Sequence, residues 1–234
     1  MNLSGNTVLI TGGATGIGFA LAEALLKRGN RVIICGRREE RLQRAKEMHP
    51  DLFIKVCDVA DREDQRRLYE WATAEFPELN ILVNNAGIQR DIDLTKGLED
   101  ILSGENEIRI NLEGPIFLTA LFMQQLLASK NPAIVNVSSG LVFRPMAEVP
   151  IYCATKIAMH MYTQLLRQQL EGRGVKVFEA VPPIVETELN LPGRKKRNIT
   201  FRGIPADEFA AAVISGLEKD EFEIRYGMTK LQQE

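Results

Sequence analysis

The chain has 234 residues, 45% of them hydrophobic, a net charge of −2, three cysteines and two histidines. That composition supports one sizeable α/β core, makes no case from bulk charge for nucleic acid or an anionic membrane, and argues against a disulfide framework. The apolar runs fall far short of the ~20 residues of a membrane span, and no basic-then-apolar leader precedes the first apolar run, so a soluble cytoplasmic protein without nucleic-acid or membrane partners is expected.

In chain order, Val8-Leu9-Ile10 reads as a buried parallel strand over 7–10. It runs into Thr11-Gly12-Gly13-Ala14-Thr15-Gly16-Ile17-Gly18 and then into a helix whose apolar face is Ile17, Ala20, Leu21, Ala24 and Leu25, ending at Gly29. Further strands are predicted over 31–35, 53–57, 79–84, 133–138, 176–181 and 223–226, with helices in the gaps. Asp61 suits an N-cap for a helix that stops before Phe76-Pro77. A helix over about 105–129 contains Pro115, which should bend it or remove one hydrogen bond. The next helix carries Tyr152 and Lys156 and ends near Gly172. Residues 188–203 read as neither strand nor helix and are expected to form a lid. Strict alternation without a linker or repeat predicts an α/β fold: a single doubly wound Rossmann-type domain over 1–234. Its sheet should have seven mostly parallel strands and helices on both faces. Ligands on such a sheet bind at the carboxyl ends of the strands.

The chemistry-bearing residues fall at those ends. Strand, glycine loop and helix in succession let a backbone approach a pyrophosphate closely and aim helix N–H groups at it, so Gly12, Ala14, Thr15, Gly16, Ile17 and Gly18 are expected to bind a dinucleotide. Tyr152 and Lys156 share a helix face at i, i+4, where an ammonium should lower the phenol from its usual ~10. Such a tyrosine exchanges a proton with an alcohol or carbonyl oxygen. Ser139, thirteen residues earlier, can stabilise charge developing on a carbonyl oxygen. At the end of the second strand Cys35-Gly36-Arg37-Arg38 lacks the acid that bonds a ribose 2′-hydroxyl, and Arg37 and Arg38 suit a 2′-phosphate, so NADP(H) is expected over NAD(H). A Ser-His-Asp hydrolase is disfavoured by the absence of a G-x-S-x-G elbow. Cys35, Cys57 and Cys153 are expected to pack as small hydrophobes, and His49 and His160 have no zinc-ligand spacing, so no metal is expected.

Thr11 to Gly18, Asp58, Asn84-Asn85-Ala86-Gly87, Asn111, Ser139, Tyr152 and Lys156, in that order and spacing, resemble the short-chain dehydrogenases/reductases over nearly the whole chain. Val32 to Arg37, Tyr152 to Lys156 and Pro182-Pro183 also look like the DltE-like bacterial branch. The resemblance implies that Asn111 holds, through its backbone, a water in a proton relay to Lys156, and that Lys156 also holds the nicotinamide ribose. It implies a mainly structural Asn84, with Asn85, Ala86 and Gly87 along the cofactor. Asp58 would accept from the adenine amino group and Val59 would offer its backbone and apolar face. Pro183 departs from the family's glycine after the sixth strand. Val185 and Thr187 are still expected to reach the carboxamide.

The expected activity is NADP(H)-dependent interconversion of a secondary alcohol and a carbonyl. The alternatives are a 3-ketoacyl-thioester reductase that meets its substrate with Arg194-Lys195-Lys196-Arg197, and a non-catalytic NADP-binding sensor. Large apolar residues on the fourth and fifth helices, among them Phe117, Leu121, Met159 and Tyr162, suggest a homodimer or homotetramer, although a core role for all of them is the plainer reading.

Overall fold

The computed structural model of the chain describes residues 1–200 and 203–227. Its strands are β1 (Thr7–Thr11), β2 (Arg31–Gly36), β3 (Phe53–Val56), β4 (Leu79–Asn84), β5 (Ala133–Val137), β6 (Lys176–Val181) and β7 (Glu223–Arg225), all parallel in the order β3-β2-β1-β4-β5-β6-β7. The helices are α1 (Gly16–Leu26), α2 (Glu39–Met48), α3 (Arg62–Glu75), α4 (Leu98–Leu102), α5 (Gly114–Ala128), α6 (Pro150–Gln169), α7 (Leu191–Lys196) and α8 (Ala206–Glu218).

Side chains alternate across each strand, so the sheet feeds two cores. Val8, Ile10, Ile34 and Val83 pack with Leu21, Leu25, Leu42, Phe209 and Val213, which puts α1, α2 and α8 on one face. Leu9, Ile33, Leu82, Ile134 and Val177 pack with Leu68, Ala72, Leu118, Phe122 and Leu166, which puts α3, α5 and α6 on the other. Covering both faces explains why the strands read as continuous apolar runs rather than alternating ones. The Asp61 carboxylate accepts from Asp64 N at 2.8 Å, the cap expected for α3, a bond of about 1 kcal/mol.

Two segments depart from the sequence expectation. The single helix expected over 105–129 is interrupted: a π turn spans Arg109–Glu113, and Gly114 N donates to Arg109 O before α5 begins. Pro115 has no N–H to offer the Asn111 carbonyl four residues back, so the regular ladder fails there. The stretch expected to lack structure over 188–203 contains α7. Asn190, at φ 49°, caps it by accepting from Gly193 N at 3.2 Å. Residues 201 and 202 of that expected lid lie outside the described residues.

Candidate active site

β1 and β4 are neighbours in the sheet, but their connections leave to opposite sides, which opens a crevice at their carboxyl ends. A cleft of about 940 Å³ lies there, lined by Gly12, Ala14, Thr15, Gly16, Ile17, Arg37, Arg38, Val59, Asn85, Ala86, Gly87, Ser139, Tyr152, Lys156, Val185 and Thr187. Gly18, Asp58 and Asn111 are not part of this lining.

The glycine loop is built for close approach. Gly12 has φ +63°, and a Cβ on it would lie 2.9 Å from Ala86 Cα. A Cβ on Gly18 would lie 2.4 Å from Asn85 Nδ2 and 2.5 Å from Gly12 O, so Gly18 seats α1 against the loop rather than facing a ligand. The Thr11 hydroxyl accepts from Asn85 N and Ala86 N, each at 3.0 Å, and Asn85 Nδ2 donates to Thr11 O at 2.9 Å. These bonds tie the ends of β1 and β4 into one floor. Asn84 lies deeper, donating to Asn136 Oδ1 at 2.9 Å and Thr119 Oγ1 at 3.1 Å, the structural role expected of it.

At the far end of the cleft, Pro150 opens α6 and places Tyr152 in its first turn, with Ser139 delivered by the end of β5. Ser139 Oγ accepts from Leu141 N at 3.2 Å and so caps the short turn after it. Lys156 Nζ donates to Val137 O at 2.8 Å and stands 5.8 Å from the centre of the Tyr152 ring. Asn111 Oδ1 accepts from Ile88 N and its Nδ2 donates to Ile88 O, both at 2.8 Å, while Nδ2 also reaches Thr155 Oγ1 at 3.3 Å. Gly87 keeps a gap open between Asn111 and Lys156: a Cβ on it would sit 3.3 Å from Asn111 Oδ1 and 3.6 Å from Lys156 Nζ.

The electrostatics differ from the sequence expectation. Burial pushes the Tyr152 phenol up to about 12, against the pull of its hydrogen bond to Ser139. Burial also lowers the Lys156 ammonium to about 8, opposed by the charge of Glu179. The lysine was expected to draw the phenol down, but its ammonium is turned to Val137 O, and desolvation dominates. Glu179 was not anticipated: it is fully buried on β6, and its carboxylate lies 2.8 Å from Nδ1 of His160, one turn beyond Lys156.

The arginines at the adenosine end have protein partners. Arg37 pairs with Glu105 and lies 3.9 Å from Asp58 Oδ2. Glu188 bridges Arg38 at 3.3 Å and Arg41 at 3.0 Å, and Arg38 also approaches Thr15 Oγ1 at 3.4 Å. Asp58 Oδ1 accepts from Ala60 N at 2.9 Å. Thr187 packs against the glycine loop, its Cγ2 3.0 Å from where a Gly16 Cβ would be. Beyond it, Asp91 accepts from Asn190 Nδ2 at 2.7 Å and pairs with Arg197, whose side chain is only 13% exposed. The basic run is thus partly turned inward, and Arg194 and Arg197 line the cleft. Sequence reasoning had no signal for Glu105 or Glu188, which lie 68 and 150 positions from their arginines.

The profile of the short chain dehydrogenase family matches residues 6–198. The chain belongs to the short-chain dehydrogenase family. It is an oxidoreductase, and its likeness to the DltE-like branch extends along the chain. It is 49% identical over 224 residues to the uncharacterized oxidoreductase DltE of Bacillus subtilis (strain 168), covering 96% of this chain and 89% of that one. It is 32% identical over 208 residues to the 3-oxoacyl-[acyl-carrier-protein] reductase FabG of Rickettsia conorii, covering 88% and 83%. Among solved structures it is similar to a short-chain dehydrogenase from Sphingobium yanoikuyae in complex with NADPH. That match has TM-score 0.81 and 27% identity and covers 94% and 87% of the two chains. Within this family fold, no helix among the described residues is long and apolar enough to cross a membrane.

Proposed function

We propose that the protein interconverts a secondary alcohol and a carbonyl with a nicotinamide dinucleotide, NADP(H) in preference to NAD(H), using Tyr152 as the acid/base. The observation that carries this reading is the continuity of one cleft from the glycine loop to Ser139, Tyr152 and Lys156. The glycines fit the cofactor because a Cβ on Gly12 would collide with Ala86 and one on Gly18 with Asn85 and Gly12 O, so only glycine lets the turn sit close enough to the end of β4 to admit a pyrophosphate. When bound, the cofactor supplies or accepts the hydride. The protein does the rest. Ser139 hydrogen-bonds the substrate oxygen, and Tyr152 gives it a proton in reduction or takes one in oxidation. A phenol held near 12 is neutral across the physiological range, which suits a donor. Lys156 and the Asn111 segment support proton exchange with solvent.

The NADP(H) preference rests on Arg37 and Arg38 at the adenosine end and on the lack of an acid within Cys35-Gly36-Arg37-Arg38. A 2′-phosphate there competes with Glu105 and Glu188 for the two guanidinium groups. The likeness to FabG favours one narrower substrate reading, a 3-ketoacyl thioester, and Arg144, Arg194 and Arg197 line the end of the cleft where an anionic carrier would enter.

Assembly is proposed through α6 and the start of α5. Ile157, Met161 and Leu165 recur every four residues on α6 and are 42%, 51% and 49% exposed, with Phe117 on α5 at 40%. Leu118, Phe122, Leu126, Met159 and Leu166 are core. The stripe that would meet a second copy is therefore mostly distinct from the residues singled out in the sequence. A cofactor-absorbance screen across ketones, 3-ketoacyl thioesters and secondary alcohols tests the activity. Turnover of none of them despite tight NADPH binding would favour a sensor instead.

A further inference from the structure

The four basic residues at 194–197 divide between two faces of α7. Lys195 and Lys196 are exposed, whereas Arg194 and Arg197, three apart and so on one face, are half-buried and line the cleft. Arg197 is fixed from behind. Its Nη1 donates to Asp91 Oδ1, which also accepts from Asn190 Nδ2 at 2.7 Å. Gly193 lets α7 come this close: a Cβ on it would lie 2.5 Å from Asn190 Oδ1 and nearer still to Asp91 Oδ1. The segment carrying Asp91 is in turn fastened to the reacting end of the cleft. Ile88 is clamped by Asn111 on both its N–H and its carbonyl, and Ile92 N donates to Glu148 O at 3.0 Å, just ahead of the first turn of α6. Gly87 lies against Lys156, and the four residues from it to Asp91 span about 14 Å at most. The guanidinium on Asp91 therefore stands within the length of one small molecule from Tyr152 and Lys156.

Asp91 orients this guanidinium without saturating it. Its Nε is buried and has no hydrogen-bond partner among the described residues. A buried donor left empty is costly, and an acceptor that arrives with the substrate relieves that cost. The two acids that line the cleft do not compete for it, because Glu105 is engaged by Arg37 and Glu188 by Arg38 and Arg41 at the adenosine end. Much of the remaining wall is apolar, with Leu141, Met146, Ile184, Leu189 and Ile199. The cleft thus offers a hydroxyl and a phenol for a carbonyl, an apolar lining, and one inward-facing, pre-oriented cation.

We propose that Arg197 is a specificity-determining residue that receives a carboxylate carried by the substrate, so that the protein acts on small keto acids and hydroxy acids in preference to neutral ketones and alcohols. The proposal rests on the reading of the cleft as the site of a ketone–alcohol oxidoreductase. A planar carboxylate matches the guanidinium fork, and the pairing is stronger where water is excluded. The anion belongs to the reacting molecule rather than to a carrier. A carrier's acidic surface would meet cations at the mouth, such as the exposed Arg144, whereas the Arg197 side chain is only 13% exposed.

The probes are the methyl ketones 4-oxopentanoate and 5-oxohexanoate, each beside its neutral methyl ester, with NADPH saturating. The wild type is expected to favour an acid over its ester at least tenfold in kcat/KM. Arg197→Gln should raise KM for that acid at least tenfold while kcat is kept, as the loss of a remote binding contact does, and should move the ester far less. Arg197→Lys should recover only part of the loss, since it keeps the charge without the fork. The ester serves as the control for folding of each variant. The second arm needs no turnover. Calorimetric titration of the same acids into the wild type and Arg197→Gln, both saturated with oxidised NADP, should find at least tenfold weaker binding in the variant. Equal kcat/KM for acid and ester in the wild type, or equal losses for both in Arg197→Gln, would reduce Arg197 to an anchor of α7 and overturn the proposal. A wild type that reduces no ketone defeats the oxidoreductase reading instead. The calorimetry then still decides whether Arg197 takes a carboxylate, and no binding, or equal affinity in the two proteins, overturns that.

Discussion

Replacing Arg37 by alanine should weaken NADPH binding and leave NADH nearly untouched, and the structure sets the size of the effect. A charge-assisted hydrogen bond from a guanidinium to a 2′-phosphate contributes about 1.5–3 kcal/mol. Arg37 is not waiting unpaired: it is engaged by Glu105, and the two side chains are 41% and 49% exposed. Exposed pairs of this kind contribute only about 0.2–1 kcal/mol, so displacing Glu105 subtracts that much. The net is about 0.5–2.8 kcal/mol, roughly a two- to hundredfold loss at about 1.4 kcal/mol per decade. Glu105→Gln should act in the opposite direction, tightening NADPH by up to roughly fivefold, since the phosphate no longer competes with a carboxylate. Fluorescence titration of NADPH and NADH against the wild type, Arg37→Ala and Glu105→Gln, at one ionic strength, reads all six affinities. Equal losses for both nucleotides in Arg37→Ala, or a wild type that binds NADH more tightly, would refute the reasoning.

Gly18→Ala should cost on the order of 1–3 kcal/mol of stability and most nucleotide affinity, because its Cβ falls 2.4 Å from Asn85 Nδ2; urea denaturation and nucleotide titration check both. Lys156→Met should inactivate the enzyme yet stabilise it at pH 7 by on the order of 1–3 kcal/mol, because burial lowers the ammonium from 10.5 to about 8. Between those two values the unfolded chain binds more protons than the folded one, so this group's contribution to stability rises with pH there. Calorimetry should therefore find the advantage of Lys156→Met shrinking from pH 8 to 10, and an advantage independent of pH would contradict it. Met161→Glu with Leu165→Glu should shift light scattering to one chain mass if α6 meets a second copy; a wild type already at one chain mass rules out that assembly. Asp91→Ala releases Asn190 and Arg197 and should speed tryptic cleavage at 194–197, and an unchanged rate would mean that this latch does not hold α7.

Much of this molecule was legible in local patterns. Val8-Leu9-Ile10 followed by the glycine loop gave β1 and the start of α1, because a strand buried on both faces and a tight turn are local properties. The Ser139, Tyr152 and Lys156 spacing likewise led to one end of one cleft, since a strand end and the first turn of the next helix stay close. What escaped was long-range. The carboxylates on Arg37 and Arg38 come from remote segments, and no pattern near the arginines announces them. The basic run at 194–197 carries no apolar period, yet Asn190 caps a helix there and Asp91 draws Arg197 inward. The Tyr152 phenol moved opposite to expectation because an i, i+4 spacing fixes proximity but says nothing of burial or of where an ammonium points. Pro115 foretold a break, but that the break would fall at Asn111 follows only from counting four residues back along the ladder.

The central claim is that Tyr152 is the acid/base at the end of a nicotinamide cleft. The direct measurement is single-turnover reduction by Tyr152→Phe, paired with NADPH titration of the same protein, on whichever carbonyl the wild type reduces fastest. The phenyl ring keeps the packing of a side chain that is only 5% exposed. The account predicts unchanged NADPH affinity and a rate lowered by roughly 10²–10⁴-fold, the span of general acid–base catalysis. A hydride-transfer rate within a few fold of the wild type would contradict it.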